Sequence, residues 1–107
     1  MRLYHNPRCS KSRQAVALLE ARGVAVEEVR YLTEGIREED LDLLAALDGI
    51  VRVKDVPEGR TVDVNDISQV RALLASEPKV LERPVLIYED KAAVGRPPER
   101  LLELLPR

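Results

Sequence analysis

Cysteine and histidine each occur once in this chain, at Cys9 and His5, and that scarcity excludes two kinds of stabilising chemistry. A single cysteine leaves no internal disulfide to form, and one histidine beside it makes no Cys/His set able to hold zinc, so no metal and no bound cofactor is expected. Long apolar runs are missing too. None approaches the ~18 residues of a membrane span, and no secretory pattern opens the chain, so the expectation is a soluble, cytoplasmic protein whose thiol stays reduced. The chain also lacks a surplus of either charge, with a net charge of −2 and a pI near 5.5. Without an overall basic field, nucleic acid is not an expected partner, and the cations must act locally. Asn and Gln are scarce beside 34% charged residues, a balance met in some heat-adapted proteins. No repeats, low-complexity tracts or linkers divide the 107 residues, which suffice for one domain over 1–107 with one core.

What is present is concentrated in ten residues. Tyr4-His5-Asn6-Pro7-Arg8-Cys9-Ser10-Lys11-Ser12-Arg13 holds both rare residues and three basic side chains. Before it, Arg2-Leu3-Tyr4 begins a strand; after it, Gln14 to Arg22 carries Ala15, Leu18 and Leu19 on one helical stripe, which puts Cys9 on a strand-to-helix turn. The first backbone N–H groups of a helix lack intrahelical partners and carry about half a positive charge, so a thiolate or an oxyanion is favoured there. Such placement beside cations brings a thiol from about 8.5 to between about 3.5 and 7.5 in known cases. Arg8, Lys11 and Arg13 supply the cations, and the Ser10 and Ser12 hydroxyls are candidates to cap the helix or bind an oxyanion. A lone cysteine is most often a small buried hydrophobe, but these neighbours are polar or charged. His5 is a candidate to orient a loop carbonyl or, when charged, to lower the thiol.

Further along, Gly23 suits the left-handed residue after the first helix, and Val24 to Tyr31 alternates loosely as a second strand parallel to the first. Thr33-Glu34-Gly35 breaks the pattern. Glu38, Glu39 and Asp40 are first-turn acids for a helix with Leu41, Leu44, Ala45 and Leu47 on one stripe, ended by Asp48-Gly49. Ile50 to Asp63 reads as a loop. Asn65 or Asp66 caps a helix to about Ser76 with Ile67, Val70, Leu73 and Leu74 on its apolar face, and Pro78 blocks continuation. Arg83 to Tyr88 is a strand beginning at a proline, turned by Glu89-Asp90-Lys91 into Ala92-Ala93-Val94 as a hairpin. A last helix is predicted from about Glu99 to Leu105, with Leu101, Leu104 and Leu105 facing the sheet. The fold class is α/β.

The spacing His5-Asn6-Pro-x-Cys9-x-x-Ser12-Arg13 resembles the active-site loop of the glutaredoxin-linked arsenate reductase family. The likeness continues in Tyr31-Leu32, in Leu81-Glu82-Arg83-Pro84-Val85, in Gly95-Arg96-Pro97 and in Leu104-Leu105-Pro106. It implies a thioredoxin-like domain, a four-stranded mixed sheet with flanking helices and an inserted helical segment. It also implies that Cys9 attacks arsenate and that glutathione and glutaredoxin, as external thiols, return it to the reduced state. By the same resemblance Arg83 and Arg96 hold the oxyanion, Pro84 is the cis proline facing the cysteine, and Arg52, Ser12 and Arg13 are substrate-binding, with His5 and Asn6 in support. A fixed guanidinium is the suited partner for a tetrahedral oxyanion, since its planar fork donates two bonds. Family members commonly place another Arg four residues beyond a Val-Arg pair; here Val51-Arg52 is followed at that distance by Val56, with Lys54 and Arg60 as the nearby substitutes. Two alternatives stand beside arsenate reduction. One is a glutathione-linked reductase of another substrate. The other is a non-enzymatic regulator like the Spx proteins, which share this fold and bind RNA polymerase but often carry Cys-x-x-Cys where this chain has Ser12.

Overall fold

The computed structural model describes residues 1–105; Pro106, the last residue of the resemblance above, lies outside them. Four short strands, β1 (Arg2–Tyr4), β2 (Glu27–Val29), β3 (Val85–Tyr88) and β4 (Lys91–Val94), form one sheet in the order β2-β1-β3-β4. The β1/β2 pair is parallel, and β1/β3 and β3/β4 are antiparallel, so the sheet is mixed. The helices are α1 (Ser10–Ala21), α2 (Tyr31–Glu34), α3 (Glu38–Ala45) and α4 (Ile67–Ser76), with 3-10 turns at Val53–Asp55, Pro78–Val80 and Pro98–Leu104.

Alternation along the strands divides the interior into two cores. Tyr4, Val29, Val85 and Ile87 face one side, where Tyr31, Leu41, Leu44, Val70, Leu73 and Leu74 close over them. Leu3 and Leu86 face the other, against Ala15 and Leu19 of α1 and Leu101 of the last turn. Three layers result, which is why the buried strands carry apolar residues on both faces.

Several expected elements differ in extent. The second strand is Glu27–Val29 rather than Val24 to Tyr31, because its single partner β1 supplies three residues to pair with. Tyr31 therefore leaves the sheet and opens α2, where the sequence pattern suggested only a break. α1 begins at Ser10, one polar turn before the first apolar stripe residue, and Gly23 takes the left-handed conformation after it at φ 69°. The Asp66 carboxylate caps α4 by accepting from the Ser68 and Gln69 N–H groups, a cap worth about 1 kcal/mol. Ile67, expected on the buried face of that helix, is its first residue and points to solvent. The loop from Ile50 to Asp63 forms an isolated bridge between Val51 and Leu81 and sends Ile50, Val56 and Val62 into the first core. The last helix is 3-10, with Arg100 N–H donating to the Pro97 carbonyl, and it wedges Leu101 against Gly95. A Cβ at Gly95 would lie 2.9 Å from Pro84 Cγ and 3.0 Å from Leu101 Cγ, so only glycine lets β4 end there. The Arg83–Pro84 and Arg96–Pro97 peptide bonds are both cis.

Asp40 does more than favour a helix start. It is 2% exposed and accepts from the Arg2 guanidinium and the Tyr4 hydroxyl, which in turn accepts from the Arg37 N–H, tying α3 to β1.

Candidate functional site

The strand pairing brings four chain segments to one edge of the sheet. Val29, Tyr4, Val85 and Val94 lie in one row across β2, β1, β3 and β4. Because β3 runs against the other three, the residues just past this row are His5 after β1, Tyr31 after β2, Arg83 before β3 and Arg96 after β4. Cys9 follows from the β1 end: Asn6 Oδ1 accepts from the Arg8 N–H and the Asn6 carbonyl from the Cys9 N–H, a tight turn that feeds α1.

Cys9 is the N-cap residue of α1, with extended backbone and its carbonyl accepting from the Arg13 N–H. The residue is partly exposed. Partial burial pushes the thiol up, but the Ser12 N–H, the Arg83 guanidinium and the Lys11 N–H together outweigh it, and the thiol lies below its ordinary value. The Arg96 guanidinium places Nη2 3.6 Å from the sulfur and Nε 2.9 Å from the Arg83 carbonyl, which fixes the two arginines relative to each other. The helix start and the guanidinium groups thus favour the thiolate, and they favour an anion arriving beside it for the same reason.

The other loop residues hold the turn. The Ser12 hydroxyl is fully buried, accepting from the Asn6 N–H at 3.0 Å and bonded to His5 Nδ1 at 2.8 Å. Expected as a substrate-binding hydroxyl, it instead braces the loop from beneath, and what α1 offers the sulfur is the Ser12 backbone N–H. Arg13, also expected at the substrate, is exposed and turned onto the Pro7 carbonyl, buttressing the loop from outside. His5 is 5% exposed, with Nε2 3.7 Å from Glu28. Burial first, with Arg30 and Arg13 assisting, holds its pKa below the ordinary value against the pull of Glu28, so it is neutral at pH 7 and lends the thiol no charge.

Around the arginines stand two carboxylates the sequence analysis did not single out. Glu82 is 2.9 Å from Arg96 Nε and 3.4 Å from Arg52 Nη1. Asp55 accepts from Arg52 Nε at 2.9 Å and lies 3.8 Å from Arg83 Nη1. Their signals were present in the sequence: Glu82 directly precedes Arg83, and Asp55 follows Arg52 at the three-residue spacing of a helical ion pair. Arg52 thus joins the cluster through shared carboxylates. Lys54 lines a shallow cavity of about 480 Å³ with Val51, Arg52, Val53, Glu82 and Arg96. Arg60 does not come near; it donates to the Ser76 hydroxyl at the end of α4. Among the described residues no three His, Cys, Asp or Glu side chains gather as metal ligands, and no helix is long and apolar enough to cross a membrane.

Tyr31 entered the sequence analysis as the end of the expected second strand and as part of the resemblance, not as a site residue. Its hydroxyl and Arg83 Nε are the two buried side-chain polar atoms among the described residues that have no hydrogen-bond partner.

Comparison with known proteins places this geometry among relatives. Residues 4–104 match the ArsC family. A protein named arsenate reductase from Neisseria meningitidis serogroup B is 41% identical over 98% of this chain and 97% of its own length. The solved structure titled arsenate reductase from Vibrio cholerae is 35% identical, covers 98% of each chain and superposes with a TM-score of 0.79. A more distant relative, 26% identical over 98% of this chain, is named as the global transcriptional regulator Spx of Lactiplantibacillus plantarum.

Proposed function

The chain belongs to the ArsC family, and on that footing we propose that it is an arsenate reductase in which Cys9 is the nucleophile and external thiols supply the electrons. The observation that carries the reading is the Arg96 guanidinium 3.6 Å from a thiol whose pKa is lowered at a helix start. The thiolate attacks arsenic, forming an S–As bond as one oxygen leaves with a proton as water. Glutathione then attacks the Cys9 sulfur; the S–As bond breaks, its electron pair stays on arsenic, and arsenite departs while a Cys9–glutathione disulfide remains. A second thiol, that of glutaredoxin, attacks the glutathione sulfur and returns Cys9 as thiolate. Two external thiols are oxidised for each As(V) reduced to As(III), as a chain with one cysteine requires. Arg83 and Arg96 offset the repulsion between thiolate and oxyanion, and the charge they stabilise grows in the transition state.

Arsenite formation with glutathione and glutaredoxin, compared between the wild type and Cys9→Ser, tests this. Loss of all turnover in the variant is expected, and equal rates would end the assignment. A second reading is favoured by one observation: Glu82 and Asp55 already engage Arg96 and Arg52. A site so neutralised suits a glutathione-linked reductase acting on a less charged substrate. That reading gains if the protein reduces a mixed disulfide with glutathione while arsenate yields no arsenite.

A further inference from the structure

Buried hydroxyls in folded proteins almost always have a partner. Tyr31 is 1% exposed and its hydroxyl has none, and the other such atom among the described residues, Arg83 Nε, belongs to the same sheet edge. Two orphaned groups at one sheet edge, one a hydroxyl and one an N–H, share a need for an acceptor. The carboxylates nearby do not meet it, since Glu82 and Asp55 are taken up by Arg96 and Arg52. Topology explains how the ring arrives there. β2 runs parallel to β1 and ends in the same row, so the residue that leaves the sheet two positions after Val29 emerges at the edge where Cys9, Arg83 and Arg96 stand.

From this we propose that the Tyr31 hydroxyl is a substrate ligand, donating to an oxygen of the oxyanion over Cys9, so that every strand end contributes one residue to the cradle. The inference rests on the oxyanion reading of Cys9 given above. The charges felt by the phenol fit the role. Burial is the largest influence on it, Arg83 and Arg52 oppose burial, Cys9 and Glu82 reinforce it, and the pKa is pushed up to about 12. The group therefore stays a neutral donor at any working pH and brings no negative charge against the anion.

Tyr31→Phe keeps the ring and removes the oxygen. Since the hydroxyl has no partner within the protein, the variant should melt at the wild-type temperature or above. The measurement is alkylation of Cys9 by iodoacetamide over a range of arsenate concentrations without glutathione, so that reduction is not required. Without arsenate, the alkylation rate and its pH midpoint should match the wild type. The arsenate concentration that halves the rate should rise roughly tenfold or more, the usual weight of a hydrogen bond to a charged group. Equal half-protecting concentrations in the two proteins would mean that the hydroxyl serves only a bound water, and the proposal would fall while the oxyanion reading stood. A lower melting temperature with altered alkylation in the absence of arsenate would make Tyr31 a structural residue and overturn it likewise. If arsenate fails to protect even the wild type, the oxyanion reading itself falls and takes this proposal with it.

Discussion

Tyr4 and Tyr31 are both almost fully buried, their ring centres 6.5 Å apart, yet their hydroxyls lie in opposite circumstances. Tyr4 donates to Asp40 and accepts from the Arg37 N–H, and Asp40 also takes Arg2. Tyr31, one strand away, has no partner, and at the same sheet edge Arg83 Nε has none. The first region is a closed polar network that ties α3 to β1. The second is open, gathers cations around a thiol and leaves two buried groups unsatisfied. A fold that satisfies one buried hydroxyl twice and its neighbour not at all is arranged for stability in one place and for a ligand in the other.

Removing the Asp40 carboxylate should sharpen this contrast most. Asp40→Ala leaves Arg2 and Tyr4 without their acceptor, and with Arg2 partly exposed the expected loss is about 2–3 kcal/mol in urea unfolding. The rate of Cys9 alkylation should not change, and a change would mean that the two regions are one. Tyr4→Phe is next, at about 1–2 kcal/mol, because it strips Asp40 and the Arg37 N–H of a partner. Since Tyr31→Phe should cost nothing, equal losses in the two variants would break the comparison outright. Arg83→Gln is expected to lower stability by only about 0.5 kcal/mol, since its ion pair with Asp55 is long and partly solvated. Its effect lies in the chemistry. With the guanidinium gone, the pH midpoint of Cys9 alkylation should rise toward that of a free thiol, because the charge that favoured the thiolate is lost. A linkage follows with a definite sign. A thiol depressed in the folded state stabilises the protein fully above the unfolded thiol's pKa, and that contribution fades as pH falls through the folded one. Arg83→Gln should flatten that part of the stability profile, and an unchanged profile would remove Arg83 from the thiol's surroundings.

Much of the site was legible because its causes are local. The strand-to-helix turn that carries Cys9 and the left-handed Gly23 depend on residues a few positions away, and the sequence pattern placed both, whereas the helix cap, expected of the Ser10 or Ser12 hydroxyl, falls to Cys9 without a side-chain hydrogen bond. The strands were recognisable too, although β2 was shortened by its partner's length and the last helix tightened to 3-10 over Leu101. Less legible were the roles of side chains that looked alike in one dimension. Ser12 and Arg13 have the chemistry to bind an anion and are used to hold the loop, while Glu82 and Asp55, given no role from the sequence, sit among the arginines.

The sequence alone determined that a thiol would stand where a helix begins, since backbone donors and the helix dipole act within one turn. Which charges meet that thiol was decided only in three dimensions. Arg83 and Arg96 are more than seventy positions from Cys9, and they reach it because β3 runs against β1 and β4 runs back again. Arg60, an equally good cation on paper, ends on Ser76 instead. The physical reason is range: backbone hydrogen bonding is set by neighbours along the chain, whereas the burial of a hydroxyl or the pairing of a guanidinium depends on which strands lie side by side.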